Sequence, residues 1–385
     1  MIKLTSGLKK GIRCFLILLT VLGFTQIVFA AELTDLKAEE ISFTASLAPA
    51  FSPSTTSYTL NVQEDIYGVK LTPFAAAGAK ITINGNSVES GKAALIKLEQ
   101  SYDFYAVDYA VGVKIAVSQG NESKTYTVNV VRKNAKDTYA LFGQYRYSDK
   151  ETGLTVPYLL YVPKNYDPAK KYPLVFALHG SGQRSQSLDM VLKRYKMATI
   201  WAEDSEAGIN QCIVLAPQCE SADDMVNWTP VQAFNNKKAD SPYTATEWLD
   251  AAYRLLENVK NDYSIDTKRI YATGLSAGGF ASYTIAIQYP DTFAAIVPIC
   301  GGADPEKVAA LKDKVAIWTF HAVDDPLVNV KKYYYSTNEA MDKAGVKYKA
   351  TLYPAGAVFW PMAHFSWTAA YANREMRDWL FAQSK

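Results

Sequence analysis

Gly274-Leu275-Ser276-Ala277-Gly278 sets a serine between two glycines in the spacing G-x-S-x-G. The strand-like run Arg269-Ile270-Tyr271-Ala272-Thr273 precedes it, and a helix-forming stretch over 277–288 follows, stopped at Tyr289-Pro290. A strand, a sharp turn and a helix in that order make an elbow that lifts a serine hydroxyl above a sheet, with glycines where the flanking backbones pack closely. Such a hydroxyl attacks a carbonyl carbon only when a base removes its proton. The chain has three histidines, His179, His321 and His364. Elbow serines take first their acid and then their base from further along the chain, and His364 follows both the serine and the candidate acids. His179 closes the apolar run 174–178 and opens His179-Gly180-Ser181-Gly182, whose small residues leave backbone N–H groups free to hold an oxyanion. His321 ends the run 315–320 and reads as a packing or hydrogen-bonding histidine. The acid should orient and stabilise the imidazolium from the tip of a strand. His321-Ala322-Val323-Asp324-Asp325-Pro326-Leu327-Val328 supplies two carboxylates there. Asp325 is favoured over Asp324 because it directly precedes the Pro-x-Val that leads onward. The chemistry expected is carboxylic-ester cleavage through an acyl-enzyme, with no metal and no cofactor.

The elements that must hold these residues are legible in the apolar pattern. The solid runs 174–178, 213–216, 270–273, 294–299, 315–320 and 348–353 alternate with helical stretches, which predicts a mostly parallel, doubly wound sheet covered on both faces. Leu249, Ala252, Leu256 and Val259 recur at helical spacing within 246–263. Residues 142–163 carry two further strand-like stretches. Ahead of them, residues 31–133 read as short alternating strands: 57–62, 69–72, 80–83, 112–117 and 124–130. Asn84-Gly85 and Gln119-Gly120-Asn121 are turn signals between them. Strands at this spacing make a small immunoglobulin-like sandwich.

Length and composition agree with two domains: 385 residues, 49% hydrophobic and 20% charged, exclude wholesale disorder. A net charge of +2 without basic clustering excludes a nucleic-acid footprint. Lys3, Lys9, Lys10 and Arg13, an apolar run over 14–29 and Val28-Phe29-Ala30 predict a signal peptide over 1–30. That run is short for a membrane span and is broken by Gly23, Thr25 and Gln26. The mature chain is therefore expected to be secreted, with the sandwich at 31–133 and the catalytic domain at 134–385. It would keep Cys212, Cys219 and Cys300. The first two flank an extended run too long to bridge, so buried free thiols are expected.

Several segments resemble, in order and spacing, the secreted esterases and "predicted peptidases" of the prolyl-oligopeptidase-like α/β-hydrolase group. They are Tyr161-Val162-Pro163-Lys164-Asn165-Tyr166, Leu178-His179-Gly180-Ser181-Gly182, Leu215-Ala216-Pro217-Gln218-Cys219, Asp266-Thr267-Lys268-Arg269-Ile270-Tyr271, Val297-Pro298-Ile299-Cys300-Gly301-Gly302 and His364-Phe365-Ser366-Trp367. Leu47-Ala48-Pro49-Ala50-Phe51-Ser52-Pro53-Ser54-Thr55-Thr56-Ser57-Tyr58, with Thr125-Tyr126-Thr127-Val128, is similar to cadherin-like β-sandwich modules of bacterial surface and secreted proteins. The resemblance implies an α/β-hydrolase with Ser276 as nucleophile, Asp325 as acid and His364 as base, and with the N–H groups of Ala277 and Ser181 as oxyanion hole. It also implies that Trp228, in Asn227-Trp228-Thr229-Pro230, lines the acyl or alcohol pocket. Two departures bear on the substrate. The oxyanion loop reads Ser181-Gly182-Gln183-Arg184, where relatives tend to have an Ala and an acidic residue. The longer apolar stretch over 355–363 brings Trp360 near the site. Trp228, His179 and Trp360 are the expected substrate-binding residues. A small-molecule or polysaccharide-linked ester is expected as substrate, plant-wall acyl esters among them. A peptidase using the same triad and a non-catalytic surface-binding protein are the alternatives. The sandwich could bind polysaccharide, mediate oligomerisation or support the catalytic domain.

Overall fold

The computed structural model describes residues 30–40, 43–62, 66–98, 109–132, 136–221, 227–230 and 242–385. The signal-peptide reading therefore lies outside the described residues, apart from Ala30. Among the described residues, ten strands build the first unit: β1 Leu33–Glu40, β2 Phe43–Ala45, β3 Leu47–Ala48, β4 Ser57–Val62, β5 Gly68–Ala75, β6 Lys80–Ile83, β7 Asn86–Val88, β8 Ala94–Lys97, β9 Tyr109–Gln119 and β10 Glu122–Arg132. They form two sheets, ordered β2-β1-β5-β8 and β3-β4-β10-β9-β6-β7. The side-chain period of two decides what faces inward. Tyr126, Val128 and Val130 of β10, Val113, Ile115 and Val117 of β9, and Val69 and Leu71 of β5 are all buried. The strand β1 gives no clean alternation in the sequence because its pairing with β5 is irregular between Leu33 and Asp35.

The second unit is an eight-stranded sheet. Its strands are β11 Phe142–Ser148, β12 Thr155–Tyr161, β13 Tyr172–Leu178, β14 Ile213–Pro217, β15 Ile265–Leu275, β16 Ala295–Ile299, β17 Ala316–Ala322 and β18 Lys349–Tyr353. Their order is β11-β12-β14-β13-β15-β16-β17-β18. The strands β11 and β12 run antiparallel to their neighbours, and the remaining pairs are parallel. Burial of β13, β14 and β16 is continuous along their length, as expected for a sheet covered on both sides. Leu174, Phe176 and Leu178 face the helices Glu247–Asp262 and Ala277–Gln288, in one cluster with Leu249, Leu256 and Ile285. Val175 and Ala177 face the opposite side, with Trp201, Trp367, Tyr371 and Leu380 from the helices Thr199–Glu206, Ser366–Ala372 and Arg374–Phe381. No described helix is long and apolar enough to cross a membrane.

The apolar cluster on that second face continues into the sandwich core. Tyr67, just ahead of β5, is buried against Tyr139, Trp360 and Phe365, and meets the Phe365 ring edge-on at 5.9 Å. Gly68 and Lys97 are paired partners on β5 and β8, and Trp360 lies over them. A Cβ at Gly68 would stand 3.0 Å from Trp360 Cδ1. The Lys97 ammonium sits 4.4 Å from the Trp360 ring, and that of Lys70 sits 4.0 Å from the Phe359 ring. The sandwich thus rests on the 354–365 segment, which leads from β18 to His364.

Candidate active site

Ser276 stands between the last residue of β15 and the first of the helix Ala277–Gln288. Its backbone is held at φ 55° and ψ −118°, a conformation that costs a non-glycine residue roughly 1–3 kcal/mol and persists where surrounding contacts enforce it. The Ser276 N–H donates to Ile299 O at 3.0 Å and to Cys300 Sγ at 3.3 Å. Gly278 is needed at the next turn: a Cβ there would fall on the Leu178 carbonyl and stand 2.9 Å from the His179 carbonyl. That close approach brings the helix start against the loop leaving β13. Ala277 carries the first N–H of the helix, which has no intrahelical acceptor and lies at the positive end of the dipole. Ser181 opens the turn Ser181–Gln183 on the facing loop. Neither backbone group needs a special side chain, so the oxyanion reading rests on this juxtaposition.

His364 lies in the short turn Ala363–Phe365, with the Trp367 ring edge-on at 5.1 Å. Ser276 Oγ–H donates to His364 Nε2 at 3.0 Å, and His364 Nδ1–H donates to Asp325 Oδ2 at 2.7 Å. The other oxygen, Asp325 Oδ1, accepts the N–H groups of Leu327 at 2.8 Å and Val328 at 2.9 Å. Burial pushes this carboxyl up, but the hydrogen bonds from His321 and His364, the histidine charge and the Val328 N–H outweigh it. Together they hold Asp325 well below the usual carboxylate range, so it is ionised beside the imidazole. Asp324, the other sequence candidate, is exposed, and its Oδ2 accepts the Gly356 N–H at 2.8 Å. It secures the segment leading to His364 without touching the ring.

Two of the expected substrate-binding residues sit elsewhere in the architecture. His179 and Trp228 have no exposed surface. His179 Nε2 accepts the Cys219 N–H at 3.0 Å, which leaves Nδ1–H to donate to Gly180 O at 2.7 Å. Burial drives its pKa down to about 4. Trp228 stacks obliquely on that ring at 4.8 Å and donates its Nε1–H to the His179 carbonyl at 3.0 Å. The pair therefore braces the loop after β13 from beneath and does not line an open pocket, because an indole N–H and a neutral imidazole supply what the buried loop backbone needs. Trp360 is taken up by the seam with the sandwich, as described above.

The sequence reading assigned no role to Cys300 and gave His321 no contact with the acid. Cys300 lies beneath the elbow, and His321 Nε2 is 3.4 Å from Asp325 Oδ2. The i,i+4 spacing of His321 and Asp325 was the signal available for the second. All three described cysteines are free and buried, as expected. Cys300, Asp325 and His364 are, among the described residues, the group whose donor atoms could converge on a metal ion, within 4.8 Å of one another. The imidazole and carboxylate are already engaged with each other, and burial raises the thiol well above its ordinary value, away from the thiolate a metal requires. The donor set fits a hydrogen-bonded row better than a metal centre.

An eight-stranded sheet in this order, with a strained serine at the tip of β15 and a histidine and carboxylate delivered from beyond β18 and β17, defines an α/β-hydrolase. The sequence model of the esterase family matches residues 150–370, and that of the cadherin-like β-sandwich domain matches residues 33–133. The chain belongs to the esterase family. The crystal structure of a thermostable esterase superposes with a TM-score of 0.61 at 28% identity, covering 85% of this chain and 99% of that one. Poly(3-hydroxyalkanoate) depolymerase C of Paucimonas lemoignei is 32% identical over 133 residues, 34% of this chain and 28% of that protein. The "Probable feruloyl esterase C" of Aspergillus terreus is 29% identical over 173 residues, 45% of this chain and 56% of that protein. The chain thus spans less than two thirds of the length of these two relatives.

Proposed function

We propose that the protein is a secreted serine carboxylesterase. The observation that carries this reading is the continuous row from Ser276 Oγ through His364, at 3.0 Å, to the ionised Asp325, at 2.7 Å, on a strained elbow. His364 removes the Ser276 proton as the oxygen attacks the ester carbonyl, and Asp325 stabilises the imidazolium that forms. The N–H groups of Ala277 and Ser181 hold the oxyanion. His364 returns the proton to the departing alcohol, then activates water to release the acid from Ser276. Secretion is supported by the basic and apolar pattern of residues 1–30, with the sandwich assigned to 31–133 and the catalytic domain to 134–385. The substrate class proposed is an acyl ester carried on a polymer, plant-wall polysaccharide esters first. The names of the feruloyl esterase and depolymerase relatives support it. The test is labelling with a fluorophosphonate probe alongside turnover of a short p-nitrophenyl ester, a feruloylated polysaccharide and an aminoacyl p-nitroanilide. Labelling and ester turnover abolished by Ser276→Ala are expected. Fast anilide turnover would make the protein a peptidase, and an unlabelled wild type would make it a binding protein.

A further inference from the structure

Outside the reacting row, a buried imidazole has no part in the chemistry derived above and yet faces the acid. His321 ends β17 with no exposed surface. Its Nε2 lies 2.9 Å from the Val328 carbonyl and 3.4 Å from Asp325 Oδ2. Two oxygens face that nitrogen, so it carries the hydrogen and shares it between them. The other nitrogen, Nδ1, is buried without a hydrogen-bond partner among the described residues, which fits an unprotonated ring nitrogen. The Tyr334 ring packs on the imidazole at 5.5 Å. Around Asp325 the groups are His364 and His321 on Oδ2, the Leu327 and Val328 N–H groups on Oδ1, and the neutral Cys300 thiol. Val328 is held at both ends, since its N–H serves Asp325 and its carbonyl receives His321.

We propose that His321 is a positioning residue for ester hydrolysis: its shared Nε2–H closes the turn over 325–328 and fixes the carboxylate plane so that Oδ2 meets His364 Nδ1. The proposal rests on the reading of Ser276, His364 and Asp325 as the reacting row. Two backbone N–H groups grip Oδ1 alone, so without a donor from the β17 side the carboxylate can rotate about that grip. A carboxylate rotated out of the imidazole plane orients the ring less well and stabilises its charge less, which lowers turnover without touching the ester pocket. His321 therefore acts on kcat, not on KM.

The experiment compares His321→Phe, which fills the space without donating, with His321→Gln, which keeps an N–H. Asp325→Asn serves as reference. With a short p-nitrophenyl ester, kcat of His321→Phe is expected to fall on the order of tenfold, the effect of one lost hydrogen bond to a charged group. KM should stay within twofold, and His321→Gln should recover most of the loss. Nitrogen-15 NMR of the wild type checks the geometry without any variant: His321 is expected as the Nε2–H tautomer and His364 as Nδ1–H. A His321→Phe enzyme with wild-type kcat, equal losses in both His321 variants, or an Nδ1–H tautomer at His321 would overturn the proposal while Asp325→Asn remains inactive. An active Asp325→Asn would overturn the underlying reading instead.

Discussion

Replacing Asp325 with asparagine separates the two neighbouring carboxylates and tests the whole row. The carboxylate receives donors on both oxygens: Leu327 and Val328 N–H on Oδ1, His364 and His321 on Oδ2. An amide offers one oxygen and one NH2 group. If its oxygen stays with the backbone donors, the NH2 faces His364 Nδ1, forces the hydrogen onto Nε2 and removes the lone pair that accepts from Ser276. If it flips, the NH2 confronts the Leu327 and Val328 N–H groups. In either orientation the negative charge is gone. At the 2.7 Å separation of His364 Nδ1 and Asp325 Oδ2, an effective dielectric constant of about 20 makes that charge worth on the order of 6 kcal/mol to the imidazolium. That corresponds to roughly 10⁴-fold in rate. Asp324→Asn removes an exposed charge and keeps an oxygen to accept the Gly356 N–H, so it should cost less than about tenfold. The assay is kcat/KM on p-nitrophenyl acetate at neutral pH, with circular dichroism to confirm folding. Comparable losses in the two variants, or an Asp325→Asn enzyme retaining more than about a hundredth of wild-type activity, would refute the assignment.

Three further outcomes follow from buried contacts. The His179 pKa falls from 6.5 to about 4 through burial, so the unfolded chain takes up a proton that the folded one refuses. The resulting stability is present above pH 6.5 and lost as the pH drops toward 4. It amounts to about 3 kcal/mol, and urea denaturation as a function of pH should show that slope reduced by about one proton in His179→Asn. Gly68→Val would push on Trp360 Cδ1, 3.0 Å from the new Cβ, and on Ile96 O at 3.2 Å. Because Trp360 belongs to the segment that delivers His364, kcat should fall on the order of tenfold, and a Gly68→Val enzyme of wild-type kcat would show that the seam does not hold the site. Arg377 donates to Asp204 at 2.8 Å and to Tyr371 O at 2.6 Å, joining the helices Thr199–Glu206 and Arg374–Phe381. Arg377→Ala leaves the buried Asp204 carboxylate with the Arg374 guanidinium, 3.6 Å away, and should cost about 2 kcal/mol, read as a lower thermal midpoint.

The sequence by itself determined the parts written in local pattern. Ser276 was legible because a strand, a Gly-flanked serine and a helix are contiguous, and His364 because the chain offers few histidines and one in the right order. The continuous apolar runs gave β13 to β17, since a strand buried on both faces needs no alternation, whereas the edge strand β18 is largely open to solvent. Tertiary structure decided whatever depends on residues far apart in the chain. Asp325 and Asp324 differ by one position, and only the direction of each side chain, toward His364 or toward Gly356, distinguishes them. The resemblance makes Trp228 a pocket residue and His179 opens the loop after β13, yet their mutual contact buries both beneath that loop. The role of the sandwich was invisible for the same reason. Gly68 and Lys97 carry no motif, and they matter because two paired strands bring them under Trp360. Short-range spacing fixes which group can react; close packing between distant segments fixes where it is held.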